Sequence, residues 1–222
     1  MMKLTATALA CRRAGRDVFA GLDFSIAAGE ALLVLGRNGA GKSSLLRMIA
    51  GLVRVAEGEL TIEGGDPELS LPEQSHYVGH QDAVKPALTV AENLCFWADY
   101  LRLPGSAAAA VPAALDALDL TGLADLPAAY LSAGQKRRLS LARVVAVQRP
   151  LWLLDEPTSA LDAAAQERLT GLMRGHLASG GIILAATHGP VGLGGARELR
   201  LDARTGGAAA EPGSATPKGG RA

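Results

Sequence analysis

The sequence predicts an α/β fold built on a largely parallel sheet, and three observations predict it. Continuous apolar runs at residues 31–35, 151–154 and 181–186 have the length and composition of strands buried on both faces. Helix-patterned stretches alternate with them, the order that produces parallel pairing. The first run passes through a glycine-rich loop directly into a helix pattern.

Element by element, Leu4, Ala6, Ala8 and Ala10 alternate with polar or small residues and predict a strand over 4–11. Residues 18–26 predict a second, with Phe24 and Ile26 on one face. Ala28-Gly29-Glu30 turns the chain into the strand at 31–35, and beyond the loop Leu45, Met48, Ile49 and Leu52 recur at helical spacing. A hairpin-like piece is expected around 58–65. The middle of the chain changes in character. Helices are predicted at 90–101, at 107–120 after Leu103-Pro104-Gly105, and from Leu131-Ser132 to about residue 147. They make a mainly helical block over roughly 83–148, inserted in the α/β frame. A strand at 151–154, a helix at 162–178 and a strand at 181–186 complete it. Residues 205–222, rich in Gly, Ala, Pro, Ser and Thr, are expected to be a disordered tail, leaving 1–204 as one domain.

Composition narrows the function classes. Among 222 residues, 22 Lys plus Arg balance 22 Asp plus Glu, so no basic surface for nucleic acid is expected. Cys11 and Cys95 lie far apart and outside any CxxC, which excludes a disulfide scaffold or zinc ribbon and fits a reducing compartment. No apolar run approaches the ~18 residues of a membrane span, and the alanine-rich stretch before Leu115 is interrupted by Pro112. The N-terminus meets Arg12 and Arg13 early and is read as mature protein, not a signal peptide.

Gly36-Arg37-Asn38-Gly39-Ala40-Gly41-Lys42-Ser43 matches GxxxxGK[ST] between a predicted strand and a predicted helix. Glycines there permit positive φ, so successive N–H groups converge on a phosphate, and the helix N-terminus adds a favourable field. Lys42 is placed to reach the β and γ phosphates of a nucleotide, and Ser43 to hold Mg²⁺. Leu151-Trp152-Leu153-Leu154 then runs into Asp155 and Glu156. Strands often end in acids, but after a phosphate loop Asp155 reads as the Mg²⁺ ligand and Glu156 as the group that polarises attacking water.

Leu131-Ser132-Ala133-Gly134-Gln135, followed by Lys136-Arg137-Arg138-Leu139, falls just before the acidic strand. With it the sequence resembles the ATPase subunits of ABC transporters, whose signature is LSGGQ. Ser132 and Gln135 also make an S-x-x-Q capping pattern, a purely structural device by itself. The other family marks occur in order: Gln81 in Tyr77-Val78-Gly79-His80-Gln81, Asp162 in Ser159-Ala160-Leu161-Asp162, and His188 after Ala185-Ala186-Thr187. The resemblance covers about residues 4–200. It implies a P-loop NTPase cassette with a small antiparallel β layer and an inserted helical subdomain, binding ATP and Mg²⁺.

The site residues carried over with the resemblance are Glu156, His188 and Gln81 for hydrolysis, Gly36 through Lys42 with Ser43 and Ser44 for ATP, and Ser43, Gln81 and Asp155 for the metal. Asp162 is implied to cross a dimer interface. Ser132, Ala133, Gly134 and Gln135 are implied to cap the γ-phosphate held by a second copy of the chain, in a head-to-tail sandwich of two ATP molecules. Three features depart from the family. No aromatic precedes the second strand to stack on adenine, so Arg13 is the expected platform and Phe19 is read as core. Ala133 replaces a signature glycine, and Gly189 follows His188 where an acid is common.

Gly79-His80-Gln81, Lys85, the run from Leu88 to Leu94, and Phe96 resemble the ATP-binding subunits of the cytochrome c maturation system, or haem exporter. LSAGQ followed by Lys136, Arg137 and Arg138 fits the same group. That resemblance implies an integral membrane partner, an indirect link to the haem chaperone pathway, no nucleic-acid partner, and a peripheral place on the cytoplasmic face of the bacterial inner membrane. An exporter or importer cassette for a drug, peptide or lipid is the alternative, differing only in the insert around 81–101. An ABC ATPase acting on DNA or ribosomes would want a long coiled coil, a second cassette or a basic surface. The signature and His188 exclude a simple P-loop kinase.

Overall fold

The computed structural model describes residues 1–101, 107–189 and 191–201, and the expected tail at 205–222 lies outside them. Strands β1 (Lys3–Arg13), β2 (Arg16–Ala27) and β4 (Glu57–Glu63) form an antiparallel sheet in the order β2-β1-β4. Strands β3 (Ala31–Leu35), β5 (Ser75–Val78), β6 (Leu151–Asp155), β7 (Ile182–Ala186) and β8 (Arg197–Arg200) form a second, in the order β5-β6-β7-β3-β8. Every pairing in this second sheet is parallel. Helix α1 (Lys42–Ile49) follows β3, and α5 (Ala163–Ala178) joins β6 to β7. Between β5 and β6 come α2 (Val90–Tyr100), α3 (Ala107–Ala117) and α4 (Ala133–Ala146).

The continuous apolar runs arise because the parallel sheet is covered twice. Side chains alternate across a strand, and the two faces feed different cores. Leu151 and Leu153 of β6, Leu32 and Val34 of β3, and Ile182 and Leu184 of β7 pack with the antiparallel layer and with Leu45 and Ile49 of α1. Trp152 and Leu154, with Ile183 and Ala185, pack with Leu169 and Met173 of α5 and with the helical insert. A fully buried leucine in such a position contributes roughly 1.5–3 kcal/mol, so both faces anchor the strand ends that carry the site.

The piece expected as a hairpin around 58–65 is instead the single strand β4, paired with β1 as the third strand of the antiparallel layer. The sharp turn lies earlier: Ala14 (φ 48°) and Gly15 (φ 75°) connect Arg13 to Arg16, the double positive-φ geometry of a two-residue hairpin turn. Helix α3 ends before residue 120. Asp119 adopts φ 54° there, and the Leu120 N–H closes back on the Leu115 carbonyl at 2.8 Å.

Strand β5 carries a buried histidine. Burial first, then the positive charges of Arg143 and Arg149, push the His76 imidazole down to about 3, and its Nδ1 has no hydrogen-bond partner. It is therefore neutral in the native state, while in the unfolded chain it titrates near pH ~6.5. Its contribution is fully present above that pH and is lost as pH falls from ~6.5 towards ~3, by up to about 1.4 kcal/mol per pH unit. In urea unfolding, His76→Gln is expected to flatten the loss of stability between about pH 6 and pH 5. An unchanged slope would show that His76 takes up its proton without unfolding.

Candidate functional site

The site is assembled at the carboxyl ends of β3, β6 and β7, where open α/β sheets offer a crevice. Gly36 (φ 150°), Gly39 (φ 83°) and Gly41 (φ 104°) shape the loop after β3. A Cβ on Gly36 would collide with the Leu201 carbonyl oxygen, and one on Gly41 would sit 2.6 Å from Val18 Cγ1. No side chain caps the N-terminus of α1, which leaves its first N–H groups for an anion. The Lys42 ammonium donates to the Gly36 carbonyl at 2.8 Å and the Arg37 carbonyl at 3.4 Å.

Lys42 also meets the partners that the other strands deliver. Its Nζ lies 3.0 Å from His188 Nε2, so a neutral His188 accepts from the lysine there. The same Nε2 is 3.5 Å from Glu156 Oε1, too far for a good hydrogen bond but close enough for an ion pair on protonation. Ser43 Oγ donates to Asp155 Oδ1 at 3.0 Å. Glu156 holds φ 49°, a left-handed conformation that costs a side-chain-bearing residue ~1–2 kcal/mol, while its N–H donates to the Ala186 carbonyl at 2.8 Å. Such strain belongs where the surroundings over-determine a geometry.

A cavity of about 460 Å³ joins these groups, lined by Val18, Asn38, Gly39, Gly41, Lys42, Ser43, Ser44, His80, Asp155, Glu156 and His188. Larger cavities of about 1030 and 610 Å³ include Pro150 and Gly180, at the amino ends of β6 and β7, and contain no residue of the glycine-rich loop. The smaller one is the candidate site because the glycine-rich loop, Lys42 and both carboxylates open into it.

Not every expected residue arrives. Gln81 is exposed, and its neighbour His80 lines the cavity instead, because the segment after β5 turns Gln81 outward. Arg13 is exposed at the β1–β2 turn, and Val18 is what that hairpin presents. Phe19 is core. Asp162 accepts from the Ala165 N–H at 2.8 Å and so caps α5. Ser132 and Gln135 form the full capping box of α4: the Ser132 hydroxyl accepts from the Gln135 N–H at 3.2 Å, and the Ser132 N–H donates to Gln135 Oε1 at 2.8 Å. Ser132, Ala133, Gly134 and Gln135 lie outside this cavity.

The helix also explains the alanine in the signature. Ala133 is exposed, so its methyl displaces nothing. A Cβ on Gly134 would stand 2.9 Å from the Ala160 carbonyl oxygen, so glycine is required at the second position and not at the first.

Two residues escaped the sequence reading. Tyr77 donates its hydroxyl to Asp155 Oδ2 at 3.4 Å and accepts from Arg47 Nε at 3.1 Å. Burial raises the Tyr77 phenol pKa, Arg47 opposes that through its hydrogen bond, and the Asp155 charge adds to the rise, so Tyr77 remains a donor. Arg137, buried on α4, donates to the backbone carbonyls of Gly79, Asp155 and Glu156. The only signal for Tyr77 was its place next to Gly79 and Gln81. Arg137 had only its position in the signature helix.

The donor set fits a hard divalent cation: Ser43 Oγ and Asp155 Oδ1 are adjacent oxygens of the kind such an ion takes. No group of three or more His, Cys, Asp and Glu suited to a metal occurs among the described residues, so phosphate and water oxygens would complete the shell.

Comparison with known proteins places the whole chain. A family model described as ABC transporter matches residues 19–159. The cytochrome c biogenesis ATP-binding export protein CcmA of Nitrobacter winogradskyi is 59% identical, covering 90% of this chain and 98% of that protein. Its counterpart in Bradyrhizobium diazoefficiens is 58% identical over 90% of this chain and 98% of its own length. The one in Agrobacterium fabrum is 49% identical over 90% and 95%. Among solved structures, an ATP-binding subunit of an ABC transporter superposes with a TM-score of 0.74 at 26% identity, covering 83% of this chain and 79% of that one. A dimeric ATP-binding cassette in a post-hydrolysis state with ADP and Pi gives a TM-score of 0.78 at 24% identity, covering 90% and 94%.

Proposed function

The chain belongs to the ABC transporter family of ATPases, in its cytochrome c biogenesis ATP-binding export branch, and we propose from that membership that it powers a membrane complex for c-type cytochrome biogenesis by hydrolysing ATP. The observation that carries the reading is the convergence of Lys42, Ser43, Asp155, Glu156 and His188 on one cavity at the ends of three parallel strands. By likeness to the export proteins it matches, the process served is cytochrome c biogenesis, and the indirect link to the haem chaperone pathway rests on the sequence resemblance.

The glycine-rich loop binds the nucleotide phosphates through backbone N–H groups, and Lys42 exchanges its contacts with the Gly36 and Arg37 carbonyls for phosphate oxygens. Ser43 and Asp155 would hold Mg²⁺, which would neutralise charge on the phosphates. Tyr77 and Arg47 steady the second oxygen of Asp155. Glu156 accepts the proton of the attacking water, and His188, released from Lys42, turns to the γ-phosphate. Gln81, exposed in the nucleotide-free chain next to the cavity-lining His80, would reach the metal in the nucleotide-closed form. Arg13, on the hairpin that supplies Val18, is the adenine platform of that closed form.

The second half of each site comes from a second copy of the chain, whose Ser132, Gly134 and Gln135 lie at the N-terminus of α4, where the γ-phosphate replaces the capping-box contacts of Ser132 and Gln135. Closure on ATP and reopening after hydrolysis move the helical insert, which transmits the stroke to an integral membrane subunit. No helix among the described residues is long and apolar enough to cross a membrane; the place at the cytoplasmic face comes from the sequence resemblance. Asp155→Asn tests the metal half of this scheme. Turnover in a magnesium titration is expected to fall far more than nucleotide affinity, and superposable titrations for variant and parent would remove Asp155 from the metal site.

A further inference from the structure

Arg137 sits in the second turn of α4, five residues beyond the N-cap Ser132, and is almost completely buried, its side chain 4% exposed. Its guanidinium is divided between two places. Nη1 donates to the Gly79 carbonyl at 2.8 Å and to Asp82 Oδ1 at 3.2 Å. Nη2 donates to the Asp155 carbonyl at 2.6 Å and the Glu156 carbonyl at 2.7 Å. One side chain therefore bridges the signature helix, the segment that carries His80 and Gln81, and the two consecutive peptides that aim the acidic pair. One of those peptides belongs to Glu156 in its left-handed conformation.

We propose that Arg137 is a positioning residue for hydrolysis: it holds the backbone that aims Glu156 and ties it to the helix whose N-terminus completes the other subunit's site. The inference rests on the proposed role of Glu156 as the group that accepts the water proton. A planar fork with several donors suits four acceptors spread over two loops, and a lysine ammonium would concentrate its donors at one point. The charge is matched by Asp82 on one side and by carbonyl dipoles on the other. Neither the capping box of α4 nor the close approach of Gly134 to the Ala160 carbonyl requires an arginine here. Arg138, the next residue, bonds instead to the Leu118 and Asp119 carbonyls and to the Asp119 carboxylate, and so fastens α4 to the end of α3.

A displacement of the reacting group by ~1 Å can cost on the order of 10²-fold in rate, while nucleotide affinity depends on the loop and α1, which Arg137 does not touch. The test is steady-state ATPase activity and the Kd for a fluorescent ATP analogue, measured on the full-length chain in its membrane complex for parent, Arg137→Gln, Arg137→Lys and Glu156→Gln. Arg137→Gln is expected to keep Kd within about threefold and to lower kcat at least about tenfold, with Arg137→Lys in between. A kcat within twofold of parent for Arg137→Gln, while Glu156→Gln is inactive, overturns the role of Arg137 and leaves that of Glu156 standing. Parent-like turnover by Glu156→Gln removes the assignment on which the inference rests. If Arg137→Gln does not fold, Arg137→Lys carries the test. Parallel loss of Kd and kcat, or failure of both variants to fold, overturns the inference, because the residue is then a structural strut and nothing more.

Discussion

Glu156→Gln is expected to bind ATP as the parent does and to turn it over about 10²- to 10⁴-fold more slowly. The amide keeps the size of the side chain and the backbone bond from its N–H to the Ala186 carbonyl, so the left-handed geometry survives. What is lost is an acceptor for the water proton. His188 does not replace it in this scheme, because once it leaves Lys42, 3.0 Å away in the nucleotide-free chain, its Nε2 turns to the γ-phosphate. With hydrolysis stopped and binding intact, ATP should hold two copies of the chain closed. Size-exclusion chromatography with ATP should show a dimer of Glu156→Gln that ADP does not support. Turnover at the parental rate would transfer the role of base to another group in the cavity.

Lys42→Ala and Ser132→Arg are each expected to abolish turnover alone and to restore part of it when mixed. Lys42 is the only lysine of the loop and the only lysine or arginine among the described residues that line the cavity, so no other such cation is in place to take over its charge. Ser132 stands at the exposed start of α4, outside the cavity of its own chain. If it completes the site of a second copy, a mixed dimer carries both lesions in one site and neither in the other. Up to half of the parental activity should return if the sites act independently. Crosslinking from position 132 to the opposite loop with ATP present gives the direct readout. A crosslink confined to one chain would refute the head-to-tail arrangement.

Legibility in the sequence followed burial. The runs at 31–35, 151–154 and 181–186 were readable because β3, β6 and β7 are covered on both faces, which demands apolar residues at every position. Strand β5 is Ser-His-Tyr-Val and β8 is Arg-Glu-Leu-Arg, at the two edges of the sheet. Neither has a hydrophobic pattern, and each is a strand because its neighbour offers a ladder of backbone groups. The strand β4 read as part of a hairpin because Gly58 and Gly64 resemble turn residues, whereas its partner, β1, lies far back in the chain.

The sequence alone determined the α/β class, the phosphate loop, the acidic pair and the order of the family marks. Each of these depends on residue types at short spacings, where local geometry follows directly: glycine where φ is positive, apolar residues where both faces are buried, an acid at a strand end. Only the tertiary structure decided what occupies the cavity. It placed His80 and not Gln81 against the loop, Val18 and not Arg13 beside Gly41, Tyr77 on Asp155, and Arg137 under the backbone of Glu156. The physical reason lies in the acceptors. Arg137 bonds to three backbone carbonyls and Lys42 to two, and since every residue carries a carbonyl, no choice of side chain at the accepting positions marks such a contact in the sequence.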